Sequence, residues 1–520
     1  MKKRLRSTSS TLLLLGTIVF GSQAMSAIYQ PGPDPADLIQ AILDALSTSE
    51  DDTVDLQGRV YRFLDGCATT HGGMEDTCGD DYTALPVIDG GNGKLVIING
   101  TIERPSTSLN LFRLIEVGTM PQGDLTLVNI SLRNGYAPEV VVNNLSSLKK
   151  KDDLRIFASM EDGNGGAIRN AGSLKLINTN ISNSTAELSG GGIYNDTGAD
   201  LSIQSSNIST NLSLMSDPEG TDLGGGGIYN AGTILTISNT TIARNISKAH
   251  GGGINNHGSL NHLFRSVLFN NSACDVDIPG AECPDADQDP ASGNGGGIYN
   301  DSSSSLLQIT NCTISDNTAL MGGGIYNDAT NFGEGLNIFE ADVPDQVDGV
   351  YIYNTTISAN NASFQGGGIY NTDNTSSDEG PAILNAMVST IVAGNTDFRS
   401  INDLSDPAPD VYDGNYLDGD MSSDFVYEEY NLIGEDSGNF FADGVNHDIV
   451  GDNVNPVNPG LEPLQDNGGF TYTMALGPLS PAINQGLNPY SLDYDQRASP
   501  YRRVKCSRPD IGAFERQTCF

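Results

Sequence analysis

Residues 190–211 read GGGIYNDTGADLSIQSSNISTN, and variants of this stretch recur along much of the chain. Its opening string, Gly-Gly-x-Ile-x-Asn, stands at Gly165–Asn170, Gly190–Asn195, Gly225–Asn230, Gly251–Asn256, Gly295–Asn300, Gly322–Asn327 and Gly366–Asn371. The terminal asparagines lie 25, 35, 26, 44, 27 and 44 residues apart. The short separations set a base period near 26, and the long ones carry an inserted loop, as repeat arrays do.

An alternating apolar run follows most copies: LKLINTNIS (174–182), LSIQSSNIS (201–209), LTISNTTIA (235–243), LQITNCTIS (307–315) and VYIYNTTIS (350–358). Alternation of this kind signals a strand. Asn178, Asn239, Asn311 and Asn354 fall at one equivalent place, and Ile-x-x-Asn recurs at Ile208/Asn211, Ile242/Asn245, Ile314/Asn317 and Ile357/Asn360. Short strand signals within each period, with no helical pattern, predict one coil of a parallel β-helix, each coil adding about 4.8 Å along the axis. Inward Ile, Leu and Val then stack on their counterparts. The bend asparagines are expected to stack likewise, passing amide hydrogen bonds from coil to coil. Glycine pairs permit positive φ at a corner. No coil buries its apolar side alone, so stacking supplies the stability. The chain lacks the leucine skeleton of a leucine-rich solenoid and the turn spacing of an antiparallel sandwich. The fold class is therefore all-β: a right-handed parallel β-helix, a pectin-lyase-like solenoid, with an N-terminal capping helix and a small C-terminal domain.

A bare solenoid end needs a cover. Asp34 followed by Pro35 reads as an N-cap and first helical residue. Leu38, Ile39, Ile42, Leu43 and Leu46 then mark one face, predicting a capping helix over 35–47. The solenoid is expected over 53–395, with degenerate early coils and insertions at 138–160 and 273–294; an acidic insertion follows at 396–430 and a distinct region at 431–520.

Lys2, Lys3, Arg4 and Arg6 precede the apolar stretch Leu12–Phe20 and the small-x-small string Ser22-Gln23-Ala24. This is the layout of a secretory signal peptide, read as residues 1–24. No later segment is long and apolar enough to span a bilayer, so the expected location is secreted, extracellular or cell-surface. Formal charge is −39, and loss of the four basic residues takes it to about −43. Such a chain repels nucleic acid and other polyanions; extracellular glycans or surface proteins are the expected partners. The seven cysteines fit an oxidising compartment. Cys67 with Cys78, Cys274 with Cys283 and Cys506 with Cys519 are the close pairs, which leaves Cys312 as a small core residue.

The tail carries Asp466-Asn467-Gly468-Gly469, Ser480-Pro481-Ala482-Ile483, Asp495-Gln496-Arg497 and Asp510-Ile511-Gly512-Ala513-Phe514-Glu515. With the repeats, these strings resemble bacterial surface β-helix proteins that have polymorphic outer-membrane-protein-type repeats and a C-terminal choice-of-anchor Q domain. The resemblance implies a fold and a surface location; it implies no reaction. Relatives usually continue into a sorting or anchoring segment, whereas this sequence stops five residues after Glu515, which favours release or non-covalent retention.

Two groups of residues are candidates for chemistry. His257, His262 and Arg265 fall within about one coil of each other, with Arg265 in the place held elsewhere by Asn239 and Asn311. Histidine works as acid, base or ligand near neutral pH, so these three form the candidate catalytic or carbohydrate-binding patch. Asp285, Asp287 and Asp289 alternate on a short acidic loop and could converge on calcium, the one cofactor suggested, although the glycine and twelfth-position acid of an EF-hand are missing. The preferred expectation is a non-enzymatic scaffold for surface adhesion or for matrix or carbohydrate binding. The alternative is a polysaccharide lyase or glycoside hydrolase on the same fold.

Overall fold

The computed structural model describes residues 26–67, 83–89, 93–138, 163–215, 223–274, 293–301, 304, 306–328, 349–372, 384–397, 410–413, 427–436 and 441–519. The expected signal peptide lies outside them, as does most of the three expected insertions, including Asp285, Asp287 and Asp289.

Each coil uses its sequence in the same order. In one, Ile193–Asn195 is followed by Asp200–Gln204, Asn207–Ser209 and Leu212–Ser213. Like strands of successive coils pair in parallel, giving sheets of 22, nine and eight strands, the largest containing both middle strands of each coil. The result is a right-handed parallel β-helix. Register keeps like on like: Ile168, Ile193, Ile228, Ile254, Ile298, Ile325 and Ile369 are aligned, all fully buried. Each such side chain contributes about 1.5–3 kcal/mol on burial.

The glycine pair has two jobs. The first glycine takes positive φ, 70° at Gly190. The second has no room for a side chain: a Cβ on Gly191 would lie 2.5 Å from the carbonyl oxygen of Gly226 in the next coil. Close coil-to-coil contact at this corner therefore requires glycine.

Three continuous ladders run inside the stack, and they are not the one the sequence suggested. In the first, Asn170 Nδ2 donates to Asn195 Oδ1, and the same bond repeats through Asn230, Asn256, Asn300 and Asn327 to Asn371, at 2.7–2.9 Å. In the second, Asn211, Asn245, Asn271, Asn317, Asn360 and Asn395 pass a bond along at 2.9–3.0 Å and finish on the carboxylate of Asp410. In the third, a small polar side chain accepts the backbone N–H of its counterpart one coil earlier. The acceptors run Ser206, Thr240, Ser266, Cys312, Thr355, Thr390 and Asn431, and the last is Asp448. Cys312 is free, fully buried and part of this ladder, and burial pushes its thiol up to about 12. The bend asparagines 178, 239, 311 and 354 instead take left-handed backbone, φ 46–52°, a conformation asparagine tolerates. Asn129, joined to Asn99 on one side and Asn178 on the other, extends a short amide chain at that bend.

The N-terminal end is closed by a helix, α1, spanning Pro35–Leu46, with an Asp34/Asp37 capping box. Its Leu38, Ile39 and Ile42 are fully buried in the same core as Val54 and Leu56 of the first coil. Beyond the last paired strand, Ile449–Val450, the chain turns back along the flank of the stack. The Cys506–Cys519 disulfide fastens its end; Cys67 and Cys274 are also disulfide-bonded. Among the described residues, no helix is long and apolar enough to cross a membrane.

Candidate functional site

The middle residue of each Ile-x-Asn strand faces outward, and there the repeat builds a column of rings. Tyr194 stacks on Tyr229 at 4.9 Å, and Tyr299, Tyr326, Tyr370 and Tyr412 follow one another at 4.9–5.1 Å. The coil between Tyr229 and Tyr299 has Asn255 at this position. Two histidines fill the gap: His257 stacks on Tyr229 at 5.0 Å, and His250 on Tyr299 at 4.5 Å. His257 Nδ1 also lies 3.1 Å from Asp301 Oδ2, and His250 Nδ1 accepts the backbone N–H of Asn294.

The other two members of the candidate patch lie further along the coil. His262 stacks on Phe264 at 5.0 Å, and burial pushes its pKa down, which keeps the ring neutral at pH 7. The Arg265 guanidinium sits 4.4 Å from the centre of the same Phe264 ring. His262 and Arg265 thus meet at Phe264, while His257 belongs to the tyrosine column.

Arg265 occupies the left-handed bend, φ 49°, and reaches the carbonyl oxygen of Tyr494 at 3.5 Å. It is the first of four bends that hold the returning tail. Asn311 Nδ2 donates to the same carbonyl at 3.1 Å, Asn354 Nδ2 donates to that of Leu487 at 2.8 Å, and Ser389 Oγ accepts the N–H of Leu487. Beside this line, Gln496 Nε2 donates to the Ser266 carbonyl, Thr313 Oγ1 bonds Gln496 Oε1, and Thr356 Oγ1 accepts the Ala513 N–H. Ile391, Leu432, Ala482 and Ile511 close an apolar seam under the tail.

The tail motifs are the framework of this clasp. Asp495 and Arg497 form a buried ion pair at 2.6 Å. Arg497 also donates to the Glu515 carbonyl and lies between the rings of Tyr501 and Phe514, 4.0 and 3.8 Å from their centres. Fully buried Arg503 donates to the carbonyls of Gly512 and Asp510. Burial pushes the Glu515 carboxyl up to about 8, where it accepts the N–H groups of Lys505 and Asp510. Gly468 and Gly469, both at φ near 90°, turn the chain so that Phe470 stands 63% exposed beside the bend line, tied down by the bond from Thr471 Oγ1 to the Arg265 carbonyl.

Past Phe470 the tail ends and the bend line continues uncovered. A cleft of about 250 Å³ remains there, with Asn178, Ser205 and Asn239 at its bends, Asn180, Asn207 and Thr241 on the following strands, and Phe470 at its rim. Every residue lining it is uncharged. Asn239 Oδ1 is buried and accepts no hydrogen bond. The sequence shows these residues as repeat positions, but not that the tail stops short of them. The sequence reading also missed the tyrosine column, for which the recurring Ile-Tyr-Asn triplets were the available signal. Among the described residues, no group of His, Cys, Asp or Glu is arranged to hold a metal ion. No protein family, curated protein or solved structure matches the chain.

Proposed function

We propose that this chain is an exported, non-catalytic scaffold that displays a carbohydrate-binding surface at the cell surface or in the extracellular matrix. It is similar in kind to the bacterial surface β-helix proteins that its repeats and tail strings resemble. The observation that carries this reading is that the side chains best suited to chemistry are committed to packing. His250 and His257 complete the ring column, His262 leans on Phe264, and Arg265 holds the tail. Asp495, Arg497, Arg503, Asp510 and Glu515 bind one another and backbone groups within the clasp. Residues that must stay locked to preserve a fold are poor proton shuttles. A charge of −39 also repels the acidic polysaccharides on which a lyase of this fold would act.

A glycan array probed with the mature chain, with and without calcium, tests the reading when paired with an activity measurement on the same glycans. Binding without release of unsaturated or reducing ends is the expected result. Product release that scales with enzyme concentration would refute it.

A further inference from the structure

The flank that the tail covers and the flank it leaves open share one line of bends. The residue before each bend is in register from coil to coil: Ile177, Gln204, Ser238, Phe264, Thr310, Tyr353 and Val388. The bends that follow, Asn178, Ser205, Asn239, Arg265, Asn311, Asn354 and Ser389, therefore form a single line, all at positive φ between 46° and 53°. Over the last four, side chains bond the tail backbone at Tyr494 and Leu487. Over the first three, the same geometry faces solvent. Asn239 Oδ1 is buried there without a partner, as are the Oδ1 atoms of its equivalents Asn311 and Asn354, whose Nδ2 groups hold the tail two and three coils further on.

We infer that the open segment, between Phe470 and the bends at Asn178, Ser205 and Asn239, is a subsite for a short neutral stretch of oligosaccharide. The inference rests on the carbohydrate-binding reading above and locates it. Three observations select the ligand class. The lining offers amides and hydroxyls, groups that both donate and accept as sugar hydroxyls do. The exposed ring of Phe470 supplies an apolar platform, the combination of aromatic surface and a few converging polar groups that binding sites share. The lining is uncharged within a strongly acidic chain, which disfavours anionic sugars. Coils repeat about every 4.8 Å, close to the length of one pyranose unit, so three bends match two to three units. An extended peptide fits less well. Under the tail, the side chain of Leu487 packs against Tyr353, Ala386 and Val388, whereas the lining of the open cleft is polar apart from Phe470. The backbone groups of its strands are already paired between coils, so there is no free sheet edge to augment.

The test uses the full mature chain and calorimetric titration with chitohexaose and cellohexaose, with an oligogalacturonate and a peptide of residues 487–496 as comparators. Variants Phe470→Ala and Asn239→Ala are measured beside Leu479→Ala, a change at a 94% exposed tail residue that the argument places outside the cleft. Thermal melting and circular dichroism establish that each is folded. The expected result is binding of a neutral hexasaccharide, weakened at least tenfold by Phe470→Ala, severalfold by Asn239→Ala and not by Leu479→Ala. Glycan binding that survives both cleft changes overturns the subsite while leaving the scaffold reading intact. Preference for the peptide or the oligogalacturonate overturns the ligand class. Failure to bind any glycan, here and on the array, overturns both.

Discussion

The two ends of this solenoid are closed by different physics. At the N-terminal end, α1 lays Leu38, Ile39 and Ile42 over the first coil, and the cover is apolar area. At the C-terminal end, the second and third ladders run out on the buried carboxyls of Asp410 and Asp448. The difference follows from direction. In the two asparagine ladders each Nδ2 donates toward the C-terminal end. An amide in the last rung would point a buried donor at nothing, which costs about 1–3 kcal/mol. A carboxyl accepts the final bond and brings no N–H of its own. The cost is desolvation: burial raises the carboxyls of Asp410 and Asp448 to about 7. One end is thus insensitive in principle to acid and base, and the other is not.

Breaking the C-terminal end should have the largest effect. Asp495→Ala leaves Arg497 buried without its carboxylate, a loss of about 3–5 kcal/mol. Hydrogen exchange should accelerate across residues 460–519 and the bends under them, while α1 stays protected; uniform acceleration along the chain would contradict a separable clasp. Truncating Leu38 to Ala tests the opposite end and should cost about 2–5 kcal/mol. Its melting temperature should fall equally at pH 5.5 and pH 8.5, and a pH-dependent loss would argue against a purely apolar cover.

A pH series sharpens the contrast. Burial raises the folded-state pKa values of Asp410, Asp448 and Glu515 to about 7, 7 and 8, above the ordinary carboxylate range. Their favourable contribution is therefore complete below about pH 4 and is lost as pH rises through 7 to 8. Exchange protection around residues 410, 448 and 515 should drop between pH 5.5 and 8.5 relative to α1. In Asp410→Asn the drop should shrink, and at pH 5.5 the variant should be about 1–3 kcal/mol less stable than the parent, since its amide would face the N–H of Glu435 that Asp410 now accepts. An undiminished pH response would remove Asp410 from the account. The smallest effect is expected from Asp34→Ala, which removes the N-cap of α1 for about 1 kcal/mol; thermal melting should register it with no effect on the tail.

The coil, its period and the helix were legible because each follows from local pattern: alternating apolar residues, a glycine pair, a cap before a helical face. What the sequence hid was assignment between similar residues. Asparagines recur at three places in each coil, and composition cannot say which will stack. The answer depends on which point inward, and Asn178 and its equivalents sit at a left-handed bend that turns them out. Arg265 looked like a departure with chemical purpose because it replaces a bend asparagine. Its role appears only when the chain some 230 residues later is laid against it. The open cleft depends on where that tail stops, a tertiary fact with no local signature. The third ladder had a trace in the small residue after each bend, Thr179, Ser206, Thr240, Ser266, Cys312 and Thr355, but alternation explains the same residues equally well.

The acids in the last rungs also bear on self-association. A stack of parallel strands is a natural seed for fibres, because each terminal coil offers the next molecule a ready template. Carboxyls where a further amide would be needed make that template mismatched: once ionised, above about pH 7, two such faces bring negative charge against negative charge, and neither supplies the amide N–H that another rung requires. A longer protein of this kind would have to exchange those acids for asparagines at the same step as it gained a coil.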